Sequence, residues 1–182
     1  MKKAVVFLAP GFEEIEALSI IDILRRAGVE TKIVSVAANY VVIGAHKVKV
    51  EVDETFNDFD FSQIDMLVLP GGMPGAENLR NHDGLLELLK TFAAEGKEIA
   101  AICAAPMVFG DLGLLEGKNA TCYPGFEAKL RGANVSGDAV VVDGNITTGK
   151  GPGFAFDFAL TLVEKLVDEE VRKEVESGML IS

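Results

Sequence analysis

Cys103 is where the chemistry of this 182-residue chain concentrates. It closes the apolar run Ile99–Ile102 and opens Ala104-Ala105-Pro106, so it falls at a strand-to-helix junction with small residues, Ala101 and Ala105, two positions to either side. That is the pattern of a nucleophile elbow, where the turn is so sharp that side chains two before and two after the nucleophile must be small. Pro106 suits the first turn of the helix that follows. A sulfur at the amino end of a helix feels the positive pole of the dipole, which can lower a thiol pKa from about 8.5 into the range of roughly 3.5 to 7.5. The expectation is a thiolate at neutral pH. The competing reading is a cysteine packed in a strand for its volume alone.

Glu16 is the candidate partner. Winding Phe12–Ala27 at about 100° per residue gathers Phe12, Ile20, Ile23, Leu24 and Ala27 on one arc, and Glu16 falls inside it. Glu14, Asp22, Arg25 and Arg26 lie on the opposite, polar side, so a merely solubilising glutamate had somewhere else to sit. Desolvation on the apolar arc would raise the carboxyl pKa and let it hold or move a proton. Alternatively, Glu16, like Glu13, serves the helix dipole from the first turn while reaching solvent. Pro70-Gly71-Gly72 directly follows the run Asp65–Leu69, and α/β proteins place ligand-approaching loops at that end of a strand. The N–H groups of Gly72 and Ala104 are candidates for an oxyanion hole facing the Cys103 sulfur.

Other features carry less. A Cys-His-Asp triad needs an imidazole within reach, and the two histidines, His46 beside a turn and His82 before a helix, read as surface residues. Cys122 reads as a packed core thiol. The stretch Gly144–Gly151 nearly matches a phosphate-binding loop, but its last position is glycine where a hydroxyl must reach magnesium, so nucleotide binding is rejected. No cofactor and no metal site is expected.

These residues need a scaffold that brings strand ends together. Short Val- and Ile-rich runs alternate with helical patterns, the signature of β-α-β units around a mostly parallel sheet. Strands are predicted at Lys3–Leu8, Thr31–Val36, Asp65–Leu69, Glu98–Ile102, Ala120–Tyr123, Ala139–Asp143 and Ile146–Thr148. Helices are predicted at Glu13–Ala27, Leu85–Glu95, Pro106–Leu112, Phe154–Leu166 and Glu169–Ser177. Within Tyr40–Val52 the alternation of Val48, Val50 and Val52 with Lys47, Lys49 and Glu51 predicts a half-exposed hairpin turning near Gly44. Asp143-Gly144-Asn145 reads as a tight hairpin turn.

Composition narrows the function classes. At this length and 49% hydrophobic residues, one α/β domain spanning residues 1–182 can bury its own core. A net charge of −11 opposes phosphate backbones and anionic membranes, so neither nucleic acid nor membrane is expected as a partner. The apolar run after Lys2 and Lys3 is too short for a signal peptide, and the expected compartment is the cytoplasm, with both cysteines reduced.

Four stretches in order, AVVFLAPGFEEIEA, VLPGGMPGAENL, AAICAAP and GKGPGFAFDFAL, resemble the ThiJ/PfpI superfamily, specifically the branch of the Parkinson-associated protein deglycase and its bacterial relatives. The resemblance covers essentially the whole chain. It implies a flavodoxin-like three-layer sandwich, a homodimer, Cys103 as nucleophile or oxidation sensor, and Glu16 hydrogen-bonded to it. It also sets Gly71, Tyr123, Gly151 and Pro152 along the site. Two departures matter. The peptidases of the superfamily carry a histidine directly after the cysteine, where this chain has Ala104, so peptidase activity is disfavoured. Some members place a histidine where this chain has Tyr123. The activity so implied is glyoxalase or deglycase chemistry on methylglyoxal, glyoxal or their adducts on proteins, in stress protection. The alternative is a redox sensor or stress chaperone. The older family label of thiamine biosynthesis has no residue here to support it.

Overall fold

The computed structural model describes residues 1–181. The chain runs β1 (Lys3–Leu8), α1 (Glu14–Arg26), β2 (Glu30–Ser35), β3 (Val41–Ile43), β4 (Lys49–Glu51), β5 (Glu54–Thr55), β6 (Met66–Leu69), α2 (Gly75–Arg80), α3 (Asp83–Ala94), β7 (Glu98–Ile102), α4 (Pro106–Asp111), β8 (Asn119–Ala120), β9 (Asn134–Val135), β10 (Val140–Asp143), β11 (Ile146–Gly149), α5 (Ala155–Leu166) and α6 (Glu169–Gly178). Seven strands form the central sheet in the order β10-β11-β7-β6-β1-β2-β5. All neighbours in it are parallel except β10 with β11.

The central strands read as unbroken apolar runs because both faces of the sheet are covered. Ala4–Leu8, Met66–Leu69 and Ile99–Ile102 are all fully buried. Right-handed crossovers dictate the layers: β1 to β2 steps one way along the sheet and β6 to β7 the other, so α1 and α3 fall on opposite faces. α5 packs against α1 and α6, while α2 contacts α3 and α4. The result is the mostly parallel sheet that the alternation implied, covered on both faces as in the three-layer sandwich that the resemblance implied. Among the described residues no helix is long and apolar enough to cross a membrane.

The strand order reverses between β1 and β6, and sheets of this kind usually take ligands at the carboxyl ends of the strands beside such a reversal. The loops after β6, β7 and β11 carry Gly71, Cys103 and Gly151, and the helix that follows β1 carries Glu16 in its first turn.

The hairpin expected in Tyr40–Val52 is present as β3 and β4, turning over Gly44–Val48. Two expectations need correction. Ala120–Tyr123 does not form a strand of the main sheet: only Asn119 and Ala120 pair, with β9, in a separate two-stranded ladder. From Thr121 onward the N–H groups go elsewhere, that of Thr121 to Thr148 Oγ1 at 2.9 Å and that of Tyr123 to the Cys103 carbonyl at 2.8 Å. And α2 was not foreseen, because its six residues, opened by a glycine, are too few to show a period.

Candidate active site

Cys103 turns out of β7 with φ +66°, a left-handed conformation that residues other than glycine seldom adopt. Such a residue costs of order 1–3 kcal/mol and survives only where its surroundings fix it. Here its own peptide is tied at both ends. Cys103 N–H donates to the Gly149 carbonyl at 2.9 Å, and its carbonyl accepts from Tyr123 N–H. Ala101 and Ala105 are fully buried beneath the turn.

Glu16 is fully buried one turn into α1, on the arc with Ile20, Ile23 and Leu24. Those apolar neighbours hold the helix on the sheet, each worth about 1.5–3 kcal/mol of burial, and so carry the carboxylate into the interior with them. Glu16 Oε2 accepts the Gly71 N–H at 2.7 Å. Oε1 is buried and meets no well-aligned donor among the described residues. The Cys103 thiol lies beside this carboxyl, close enough that each perturbs the other's titration.

The glycine loop makes this approach possible. A Cβ on Gly71 would stand 2.6 Å from Cys103 Cβ and 2.9 Å from Glu16 Oε2. Gly72 has φ +86°, and a Cβ there would sit 2.4 Å from the Glu13 nitrogen. Its N–H and that of Ala104 stand near enough to the Cys103 sulfur to pull its pKa down.

Burial pushes the Glu16 carboxyl up to about 7, against the lowering pull of the Gly71 N–H and Cys103, with Glu13 adding a smaller push from its charge. Burial and then the Glu16 carboxylate push the Cys103 thiol up to about 12, outweighing the Gly72 and Ala104 N–H groups. The neutral-pH thiolate expected from sequence is therefore corrected. α4 is only six residues long and starts three residues beyond Cys103, whereas an ionised carboxylate stands next to the sulfur. The two groups titrate as a unit, and between about 7 and about 12 they hold one proton between them.

Glu14, placed on the solvent side by the helical projection, is also buried, and the hairpin is the reason. Its Oε1 accepts the His46 N–H at 2.7 Å, and its Oε2 pairs with the His46 ring at 2.9 Å. The approach is so close that a Cβ on Gly44 would overlap the Glu14 carboxylate. His46 stays 70% exposed at its side chain. Glu13, Glu14 and His46 are, among the described residues, the group whose donor atoms come together as a cation site requires. Those atoms are already spent on one another, so the cluster stands as an ion pair closing the rim. His82 caps α3, its Nδ1 accepting the Leu85 N–H at 3.0 Å. Cys122 is a buried free thiol.

Tyr123, Gly151 and Pro152 do come together, in a cleft of about 210 Å³ completed by Pro124, Lys150, Gly153 and Phe154. Four larger clefts, around Arg26, Gly28 and Val171, around Lys2, Val29 and Asp65, around Lys3, Glu30 and Asp58, and around Gly96, Lys97 and Lys165, are lined by none of the residues singled out for the site.

Residues 2–165 match the DJ-1/PfpI family. The chain belongs to that family. It is 36% identical to Protein dj-1beta of Drosophila melanogaster, covering 100% of this chain and 98% of the fly protein. It is 42% identical to Protein DJ-1 homolog B of Arabidopsis thaliana, but that match takes in 99% of this chain and 41% of the plant protein. The chain thus spans less than half the length of that relative, and likewise 47% of the plant's DJ-1 homolog A. Among solved structures, Toxoplasma gondii DJ-1 in its oxidized form superposes with a TM-score of 0.95 at 40% identity, covering 99% of this chain and 98% of the other. Drosophila DJ-1beta gives 0.94 at 35%, covering 100% and 98%. The fold is thus shared with proteins that match this chain over its full length.

Proposed function

We propose that the chain is a cysteine-dependent glyoxalase or deglycase that needs no cofactor and acts on methylglyoxal, glyoxal or their adducts on proteins. One arrangement carries this reading: the fully buried Glu16 carboxyl, raised by that burial to about 7, stands beside the Cys103 thiol at a left-handed turn, with Gly71 closely approached by both side chains. A carboxylate of that basicity is matched to moving protons at neutral pH.

In this reading the Cys103 sulfur adds to the aldehyde carbon while Glu16 takes the thiol proton and passes it to the carbonyl oxygen, giving a hemithioacetal. The Gly72 and Ala104 N–H groups, which reach the sulfur, hold that oxygen as its charge develops. Glu16, free again, removes the hydrogen on the same carbon as the neighbouring carbonyl oxygen is protonated, giving an enediol; Glu16 then returns that hydrogen to the neighbouring carbon while the first hydroxyl gives up its proton and becomes the thioester carbonyl. The product is a thioester of a hydroxy acid. Water cleaves it, restoring the thiol and releasing lactate from methylglyoxal. Substrate and water supply every atom of the product.

Wild type, Cys103→Ser and Glu16→Gln incubated with methylglyoxal, with lactate measured, test the reading. Lactate from wild type alone supports it. No lactate from wild type sinks it, and lactate that survives in Cys103→Ser removes Cys103 as the nucleophile.

The oxidized state of the Toxoplasma relative favours a second reading, in which peroxide oxidises Cys103 to a sulfinate that acts as a stress signal. A stable sulfinate together with a gain in protection of client proteins supports it. We place the protein in the cytoplasm as a homodimer in either case. Ile15 and Leu18 of α1 and Ile43 and Val48 of the adjoining hairpin are exposed apolar side chains on connected elements, and a second copy would cover them. Light scattering in solution that returns a monomer mass refutes the dimer.

A further inference from the structure

The cleft beside Cys103 is built in register with the nucleophile. One wall, Tyr123 and Pro124, starts at the N–H that donates to the Cys103 carbonyl. The other wall, Lys150 to Phe154, follows Gly149, whose carbonyl accepts the Cys103 N–H. Any movement of the elbow relative to the cleft would break one of these bonds.

Its lining is apolar and flat. Tyr123 is 46% exposed and Phe154 38%, so both rings offer a face to the cleft, and Pro124 and Pro152 add two more flat faces. The one cation present is occupied: Lys150 Nζ donates to the Gly137 carbonyl at 2.8 Å and lies 6.0 Å from the centre of the Phe154 ring. Nothing in the lining therefore calls for an anionic tail. Gly151 keeps the space open, since a Cβ there would come within 3.1 Å of the Tyr123 ring.

Size decides what fits. A volume of about 210 Å³ holds about seven waters at about 30 Å³ each, far more than the methyl group of a three-carbon dicarbonyl displaces. Filling it with a ring removes apolar surface from water and adds ring-to-ring contact.

We propose that this cleft receives the group that carries the reactive carbonyl, and that it selects a flat apolar group of aryl size over a bare methyl. The proposal rests on the reading of Cys103 as a nucleophile toward aldehydes and names the substrate class for that site. The residues that set the preference are Tyr123, Phe154 and Gly151.

Two measurements keep this proposal separate from the reading beneath it. Turnover of phenylglyoxal to mandelate is compared with turnover of methylglyoxal to lactate, in wild type, Phe154→Ala and Gly151→Leu. The preference in kcat/KM for the aryl substrate is expected to be at least about tenfold in wild type and to fall to near one in both variants. Gly151 is a suitable position for filling the cleft, because its φ of 166° is extended backbone that leucine adopts. Mandelate and lactate are also titrated into Cys103→Ser and followed by amide NMR shifts, which needs no catalysis. Mandelate is expected to bind at least about tenfold more tightly and to move the signals of Tyr123 and Gly151–Phe154. Binding of mandelate without turnover of either aldehyde would keep the cleft assignment and remove the enzyme reading. Equal kcat/KM for the two aldehydes, or mandelate shifts confined to residues outside the cleft, would overturn the proposal.

Discussion

Glu14 and Glu16 sit two residues apart in the first turn of one helix, both buried, and their carboxyls are driven in opposite directions. Burial opposes ionisation of Glu14 too, but the His46 ring and the N–H groups of His46 and Val48 outweigh it and hold that carboxyl below the usual range. Glu16 has one backbone donor and a thiol, and burial wins. Burial alone does not set the proton affinity of a carboxyl. The number of donors that the neighbouring loops supply does, and the hairpin gives its donors to Glu14 while the glycine loop gives one to Glu16.

This contrast can be broken by substitution. Cys103→Ser should lose at least about 10³-fold in lactate formation from methylglyoxal, and Glu16→Gln about 10²- to 10⁴-fold, both read from initial rates. Glu14→Gln, which leaves the Cys103–Glu16 pair in place, should cost less than about tenfold.

The stability of the same variants should move the other way. Glu16 has a folded pKa of about 7 against 4.5 for an ordinary glutamate, so folding favours its protonated form. Its contribution to stability is fully present below 4.5 and lost as the pH rises through about 7. Glu16→Gln does not titrate and should therefore be more stable than wild type at pH 8, by an amount on the order of 3 kcal/mol, with the gain vanishing near pH 4 in thermal denaturation. Function at this position runs against stability. Gly71→Ala should destabilise by about 1–3 kcal/mol, because its Cβ would meet backbone and the two reactive side chains.

Glu14 gives the smallest effect. Its folded pKa is lowered, so its contribution is present above the ordinary carboxyl value and lost as the pH falls through the folded one. Glu14→Gln should cost about 1 kcal/mol at pH 7, since the His46 side of the pair is open to solvent and screened, with less cost in acid.

How far the sequence reaches follows from the range of each interaction. The alternation of apolar runs with helical periods is local and names most strands and helices of the sandwich. The elbow is local too, because Ala101, Cys103 and Ala105 are neighbours in the chain. Glu16 is legible because a charge on an apolar helical arc contradicts its own surroundings.

What is not legible is long-range. His46 reaches Glu14 across 32 positions through a hairpin whose existence the valine alternation shows but whose docking it does not. Glu14 therefore reads as solvent-facing from the helix alone. The raised thiol needs the same kind of information: the helix dipole can be read beside Cys103, whereas the carboxylate that opposes it comes from the helix after β1, a strand two places along the sheet from β7. Thr121–Tyr123 has the composition of a strand, and only the positions of Thr148 and Cys103 show where its N–H groups go. Phe154 reads simply as a helix start, and the Tyr123 cleft reveals it as a wall.

The shared proton of Cys103 and Glu16 is tested most directly by the pH dependence of Cys103 alkylation by iodoacetamide, in a Cys122→Ser background that leaves one thiol. If the pair holds one proton between about 7 and about 12, the rate in the presence of Glu16 rises with a midpoint near 7 and is then flat to beyond pH 10. With Glu16→Gln the break near 7 disappears and the rate follows the thiol's own titration. A rate that climbs tenfold per pH unit through 7 to 10 with Glu16 present, or a profile that Glu16→Gln leaves unchanged, would contradict the account.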